Sequence, residues 1–309
     1  MRKNILVIGG TRYFGKLLVQ RLLQAGHQVT LATRGRAADP FGQRVARIRV
    51  DRRDAAAMRA AFADCAIYDI IYDQVCYTPL DAAIATAVFR GKCKRYIMSS
   101  TIEVYRSLLG SHDSPFAEDD LNVLAEAIDT GYAWGDPALA ARSYALGKRQ
   151  AEAYFYRDAS LPVVTVRSGH VLGGPEDYTG RLAHYVDLVR QPAPLRYSNA
   201  AAPTSFLSAQ AISDFLLWCG NQQFTGPVNA ACDGGLSAFD LYHRVGEVLD
   251  APLSALPSSS VVPACHLSPF DYASPYMMDG TRAQALGYHF GHSDEWIDDL
   301  IRQHDLAFV

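Results

Sequence analysis

Asn4-Ile5-Leu6-Val7-Ile8-Gly9-Gly10-Thr11-Arg12-Tyr13-Phe14-Gly15 is the stretch on which the fold turns. Asn4–Ile8 is a continuous apolar run, too short for a helix and closed by two glycines, which predicts a buried strand. Phe14, Leu17, Leu18, Leu22 and Ala25 then share one helical face, and Gly26 supplies the stop. Strand, glycine turn and amphipathic helix in this order form the context of a dinucleotide-binding turn. Gly9 permits a turn in which a Cβ would clash. Gly15 lets the helix lie close to the sheet, and the helix N-terminus offers unpaired N–H groups and a positive dipole end to a pyrophosphate. Thr11, Arg12, Tyr13 and Phe14 complete the loop, with Arg12 where a middle glycine is usual.

Outward from this unit the pattern repeats. Gln28–Thr33, Val45–Val50, Tyr68–Val75 and Arg95–Ser99 read as strands, with helical patterns at Asp54–Ala63 and Pro79–Arg90 between them. The alternation predicts an α/β fold, a doubly wound parallel (Rossmann) sheet with helices on both faces. Residues 106–135 lose all period and read as a long loop. A helix over Pro137–Arg157 and a strand over Leu161–Val166 follow. Past Gly169 proline and glycine interrupt the pattern, leaving helices at Ser208–Cys219, Ser237–Leu249 and Asp294–His304 and a strand at Pro227–Ala231. The expected division is a dinucleotide-binding domain over residues 1–167, to which 206–232 return, and a smaller, mainly substrate-binding lobe over 168–309.

The chain has 309 residues, 29 basic against 32 acidic, and is 49% hydrophobic, which is ordinary for a globular core and excludes a disordered chain. A net charge of −3 argues against general binding to nucleic acid or an anionic membrane, leaving a local basic patch as the exception. No apolar run approaches the ~18 residues of a membrane span. The N-terminus lacks the long apolar region of a secretory signal, and six cysteines without a C-x-x-C pair fit reduced thiols. The expectation is a cytoplasmic protein whose partner is a small molecule, with neither nucleic acid nor membrane.

At the end of the second strand, where an NAD site places an acid on the ribose 2′-hydroxyl, stand Thr33-Arg34-Gly35-Arg36. Guanidinium groups pair bidentately with a 2′-phosphate, so NADP is favoured over NAD, and Arg12 can reach the same phosphate. Asp51, closing the third strand, is placed either to accept from the adenine amino group or to cap the following helix. Tyr144 and Lys148, four apart in a predicted helix, put phenol and ammonium on one face. A phenol is a poor base at neutral pH, and an adjacent cation favours the phenolate; the same lysine can donate to a nicotinamide ribose. A hydroxyl from the Ser99-Ser100-Thr101 run at the end of the fifth strand would orient a substrate oxygen.

The glycine loop, Ser99-Ser-Thr-Ile-Glu-Val-Tyr105 and Tyr144…Lys148 together resemble the extended short-chain dehydrogenase/reductases, the NAD(P)-dependent epimerase/dehydratases. The loop also resembles the atypical branch of that superfamily. The similarity continues through Arg167–Gly173, Phe206–Ile212 and Gly226–Asn229. It implies Thr101 as the catalytic Ser/Thr, Tyr144 as acid/base and Lys148 as the cofactor-anchoring lysine. It further implies that Val75, Cys76 and Tyr77 flank the cofactor, that Ser168–Val171 border the nicotinamide and that Arg181 meets a substrate diphosphate. Glu103 matches the dehydratases' Thr-Asp-Glu, but Ile102 cannot donate a proton, so elimination is the minor reading. Arg106 follows Val104-Tyr105 where Val-Tyr-Gly is usual, and a reshaped loop is expected there. The resemblance implies a homodimer through the 79–90 and 137–157 helices. The rival is a non-catalytic member of the same fold, a redox sensor or an RNA- or protein-binding protein.

Overall fold

The computed structural model describes residues 1–257 and 268–307. Its frame is a seven-stranded sheet. In chain order the elements that build it are β1 (Asn4–Ile8), α1 (Tyr13–Gln24), β2 (Gln28–Thr33), β3 (Val45–Arg49), α2 (Ala55–Ala61), β4 (Ile70–Asp73), α3 (Pro79–Phe89), β5 (Tyr96–Thr101), α4 (Ala140–Asp158) and β6 (Val163–Ser168). The strand order is β10-β6-β5-β4-β1-β2-β3, with β10 (Gly226–Ala230) arriving late in the chain. Every pair from β3 to β6 is parallel, as the alternation of strands and helices predicts. Strand order reverses between β1 and β4, which marks the crevice outside the carboxyl ends of these two strands as the ligand site of such a sheet.

Contacts divide the chain into two compact units: residues 1–106, 118–168 and 212–228, and residues 107–117, 169–211 and 229–309. In the first, Leu6, Ile8, Ile71, Phe89, Tyr96 and Phe155 lie in one core with α3 and α4. In the second, α5 (Arg181–Arg190), α6 (Ala238–Leu249) and α7 (Ile297–Leu306) bury Leu182, Val186, Leu241, Val245, Ile297 and Ile301 together. The second unit also holds short strand pairs: β7 (His170–Leu172) with β9 (Phe206–Ser208), and β8 (Leu195–Tyr197) with β11 (Ala255–Pro257).

Several boundaries move for local reasons. The helix expected from Pro137 opens as a 3-10 turn over Pro137–Leu139, because Asp136 accepts from the Ala138 N–H and fixes a tight first turn; α4 starts at Ala140. Asp51 does not cap α2. Asp54 does, accepting from the Ala56 and Ala57 N–H groups, while Asp51 accepts from Arg53 in a local turn. A 3-10 stretch over Ile102–Leu108 leads into the 106–135 loop, which carries two short 3-10 turns, at Glu118–Asp120 and Val123–Ala125.

Candidate active site

The glycine turn has the backbone that its sequence demands. Gly9 and Gly10 take φ of +95° and +83°, and a Cβ on Gly10 would lie 2.8 Å from Val7 Cγ1. A Cβ on Gly15 would meet the Gly10 Cα at 3.1 Å, so this glycine lets α1 close on the turn. Arg12 sits in extended backbone at the N-cap without a side-chain cap, and the first turn carries no acid. A helix start of this kind, with its positive dipole end and no acid, favours an anion. Beside the turn, a Gly9 Cβ would lie 3.2 Å from Gln74 Cβ, and Gln74 Nε2 is buried without a hydrogen-bond partner. Turn, helix start and orphaned amide fit a dinucleotide phosphate.

The ends of β2 and β3 meet in register, Thr33 opposite Arg49. Thr33 Oγ1 accepts from the Gly35 N–H at 3.2 Å, and Arg49 Nε donates to the Arg34 carbonyl at 3.2 Å. Arg12, Arg34 and Arg49 are exposed and have no carboxylate partner among the described residues. Arg49 was not anticipated from sequence. Its place beside Arg34 is a consequence of strand register, which no local spacing encodes.

Lys148 is 2% exposed, and Nζ donates to the Ser99 carbonyl at 2.6 Å. The ammonium stands 4.6 Å from the centre of the Tyr77 ring and 6.0 Å from that of Tyr144. Burial lowers its pKa from the ordinary lysine value, opposed by Cys76, Asp73 and Asp81, with Arg52 adding to the lowering. Tyr144 is 39% exposed on the same helix, its ring 6.1 Å from that of Tyr77. Thr101 ends β5, buried, its Oγ1 accepting from the Glu103 N–H at 3.3 Å. Between Tyr144 and Lys148, a Cβ on Gly147 would overlap the Tyr77 carbonyl and come within 3.2 Å of Trp134. This glycine seats α4 against the loop after β4.

That loop is held from below by charges. Arg52 is buried between Asp73, at the end of β4, and Asp81 on α3, 3.0 Å from the latter. Asp73 also accepts from Tyr96 Oη at 2.7 Å and the Val75 N–H at 3.0 Å. Asp81 accepts from the Tyr77 and Thr78 N–H groups at 2.9 and 3.0 Å, closing the capping box of α3. Burial opposes the charge of Arg52, but Asp73, Cys76, Asp81 and Tyr96 outweigh it and raise its pKa. Burial pushes the Cys76 thiol up. Nothing in the run Asp51-Arg52-Arg53-Asp54 marks Arg52 as the residue that turns inward; the fold shows it.

The remaining expected residues are placed as follows. Ser168 Oγ donates to the Ser100 carbonyl at 3.2 Å. Glu103 pairs with Arg106 at 3.0 Å, which gives the unusual Arg106 a partner. Arg181 belongs to the second unit, donating to the Val171 carbonyl at 3.1 Å and lying 5.2 Å from the Phe270 ring. A second buried ion pair also escaped sequence reading. Arg167 meets Glu152 at 2.7 Å, Ser100 Oγ donates to Glu152 at 2.5 Å, and Arg167 reaches Tyr105 Oη at 2.8 Å. It ties α4 to β5 and β6 beneath the site.

A sequence profile described as the NAD dependent epimerase/dehydratase family matches residues 5–197. Among characterised proteins, the chain is 30% identical over 134 residues to the chloroplast stem-loop binding protein of 41 kDa b of Arabidopsis thaliana. That match covers 38% of this chain and 33% of the relative, so the chain spans about a third of the relative's length. Among solved structures, an epimerase of Methanothermobacter thermautotrophicus superposes with a TM-score of 0.74 at 16% identity, over 99% of this chain and 93% of the other. The UDP-glucose 4-epimerase of Thermus thermophilus, solved with NAD, superposes at 0.69 and 16% identity over 99% of both chains. These likenesses show the fold.

Proposed function

The chain belongs to the NAD-dependent epimerase/dehydratase family, within the extended short-chain dehydrogenase/reductases, and from that premise we propose an NADP(H)-dependent epimerase acting on a nucleotide-sugar-like substrate. The observation that carries this reading is the buried Lys148 ammonium one helical turn from the half-exposed Tyr144 phenol. Bound NADP(H) supplies the hydride acceptor or donor at a secondary alcohol or ketone carbon. Tyr144 takes the proton from the substrate hydroxyl as its C–H is oxidised and returns it on reduction. Lys148 favours the phenolate by charge and holds the ribose; Thr101 orients the oxygen. Retention of the coenzyme through the cycle gives epimerisation, and its exchange gives net reduction.

The phosphate end supports NADP over NAD. A carboxylate after β2 would repel a 2′-phosphate, and this chain instead sets Arg34 and Arg49 side by side with no acid against them among the described residues. The structural neighbour solved with NAD speaks for the dinucleotide class. Elimination through Glu103 is disfavoured, since that carboxylate is engaged by Arg106 and Ile102 offers no proton.

Titration with NADPH and NADH, followed by turnover assays on UDP-sugars and small ketones, tests the proposal. Tyr144→Phe is expected to keep coenzyme binding and lose roughly 10²–10⁴-fold in turnover. Tight coenzyme binding with no Tyr144-dependent turnover would replace the enzyme with a non-catalytic redox sensor.

A further inference from the structure

Charge is segregated along this chain. Residues 1–53 hold twelve basic residues against two acidic ones, a formal +10, whereas the remaining residues hold 17 against 30, a formal −13. Ten of those twelve are arginine. Arg21, Arg47 and Arg52 meet carboxylates: Asp214, Asp39, and Asp73 with Asp81, respectively. Arg12, Arg34, Arg36, Arg44, Arg49 and Arg53 are exposed and have no such partner among the described residues.

These six lie about β1, β2 and β3, and β3 is the terminal strand of the sheet. Arg44 precedes β3 and Arg53 follows it; the strand alone spans roughly 16 Å at ~3.3 Å per residue, more than one phosphate requires. The side chains are fixed without being neutralised. Arg44 donates from Nε to the Phe41 carbonyl at 3.3 Å and from Nη2 to that of Pro40 at 3.4 Å. Arg49 Nε donates to the carbonyl of Arg34. Protection of a sheet edge needs only charge, for which lysine serves. Arginines oriented by carbonyls instead present their remaining N–H groups in a set geometry to phosphate oxygens.

The rest of the face narrows the ligand. No large apolar side chain is exposed between residues 2 and 66, so there is no wedge for a lipid bilayer and no aromatic platform for unpaired bases. What remains is recognition of a regular row of phosphates. We propose that the β3 edge binds the phosphate backbone of a nucleic-acid double helix, an RNA stem or a DNA duplex, without sequence preference. The inference uses none of Thr101, Tyr144 and Lys148; it shares Arg12, Arg34 and Arg49 with the coenzyme reading, and its test therefore rests on Arg44 and Arg53, which that reading does not use.

Fluorescence anisotropy of the full chain tests it, with a labelled RNA hairpin, a DNA duplex and a single strand of matched length. Binding to a duplex is expected with a Kd of roughly 10⁻⁶–10⁻⁴ M, weakening steeply between about 50 and 200 mM salt. The Arg44→Gln/Arg53→Gln variant should keep the wild-type melting temperature yet bind more weakly, its log–log salt slope shallower by about 2. Preference between the RNA and DNA arms would tell which duplex is the natural ligand. The proposal is overturned by absence of duplex binding at low salt, by equal binding of the variant, by tighter binding to the single strand, or by tighter binding to phosphatidylserine vesicles.

Discussion

Burial lowers the pKa of Lys148, although Cys76, Asp73 and Asp81 pull it back. Between that lowered value and the ~10.5 of an unfolded lysine, the unfolded chain binds more protons, so stability climbs with pH through this window and is least below it. The folded protein at pH 7 thus carries a buried ammonium whose desolvation is not fully repaid. Lys148→Met is expected to abolish turnover while unfolding no more easily than wild type at pH 7, with the difference shrinking towards pH 10.5. Urea titrations at pH 7 and pH 10 measure this, and a variant clearly weaker at pH 7 would show that the Ser99 and Tyr77 contacts outweigh desolvation. At the coenzyme end, Arg49→Gln should weaken NADPH binding about tenfold or more and leave NADH little changed, as expected for one lost charge-assisted hydrogen bond. Calorimetric titration with both coenzymes decides it. The positions of Tyr144 and Lys148 on one helix and of Thr101 at a strand end are legible because helical spacing and the strand-end rule are local. Tyr77 over the ammonium, Arg49 beside Arg34 and the inward Arg52 are not, since each depends on segments far apart in sequence.

α4 carries the residues proposed for catalysis and, further along, a buried ion pair. Gly147→Ala would push its backbone off the Tyr77 carbonyl. An overpacked contact of this kind costs about 1–3 kcal/mol, and here it should also displace Lys148. Thermal unfolding together with coenzyme affinity would register both effects. One turn further along the same face, Arg167 of β6 and Glu152 are wholly buried. Arg167→Met alone should destabilise by about 3–5 kcal/mol because Glu152 is left charged and unpaired, and Arg167→Met/Glu152→Met should recover most of the loss. Urea unfolding of the two variants separates a broken pair from a replaced one. The longer elements could be read from period and punctuation: β1, β2 and the capped α3 fall where the sequence puts them. β7, β8, β9 and β11 span three residues each and show no period. Their existence follows from the partner strand, which sequence alone does not name.

The two units are not two consecutive stretches of chain. The first is assembled from residues 1–106, 118–168 and 212–228, and the second takes 107–117 and 169–211 from between them. Composition marks the change near Gly169 but not the excursion of 107–117, which carries no distinctive pattern. A fragment ending at Ser168 would lack β10 and leave β6 as an uncovered edge. It is expected to aggregate where the full chain stays monodisperse, as sedimentation velocity would show. The same topology constrains birth on the ribosome. Synthesis runs from the N-terminus, so β6 emerges long before the segment that shields it, and the nascent sheet stays open-sided while some sixty further residues are translated. A cell that makes this protein must guard that growing margin co-translationally, and codon-paced pauses between residues 168 and 226 would lengthen the time for which a chaperone is needed.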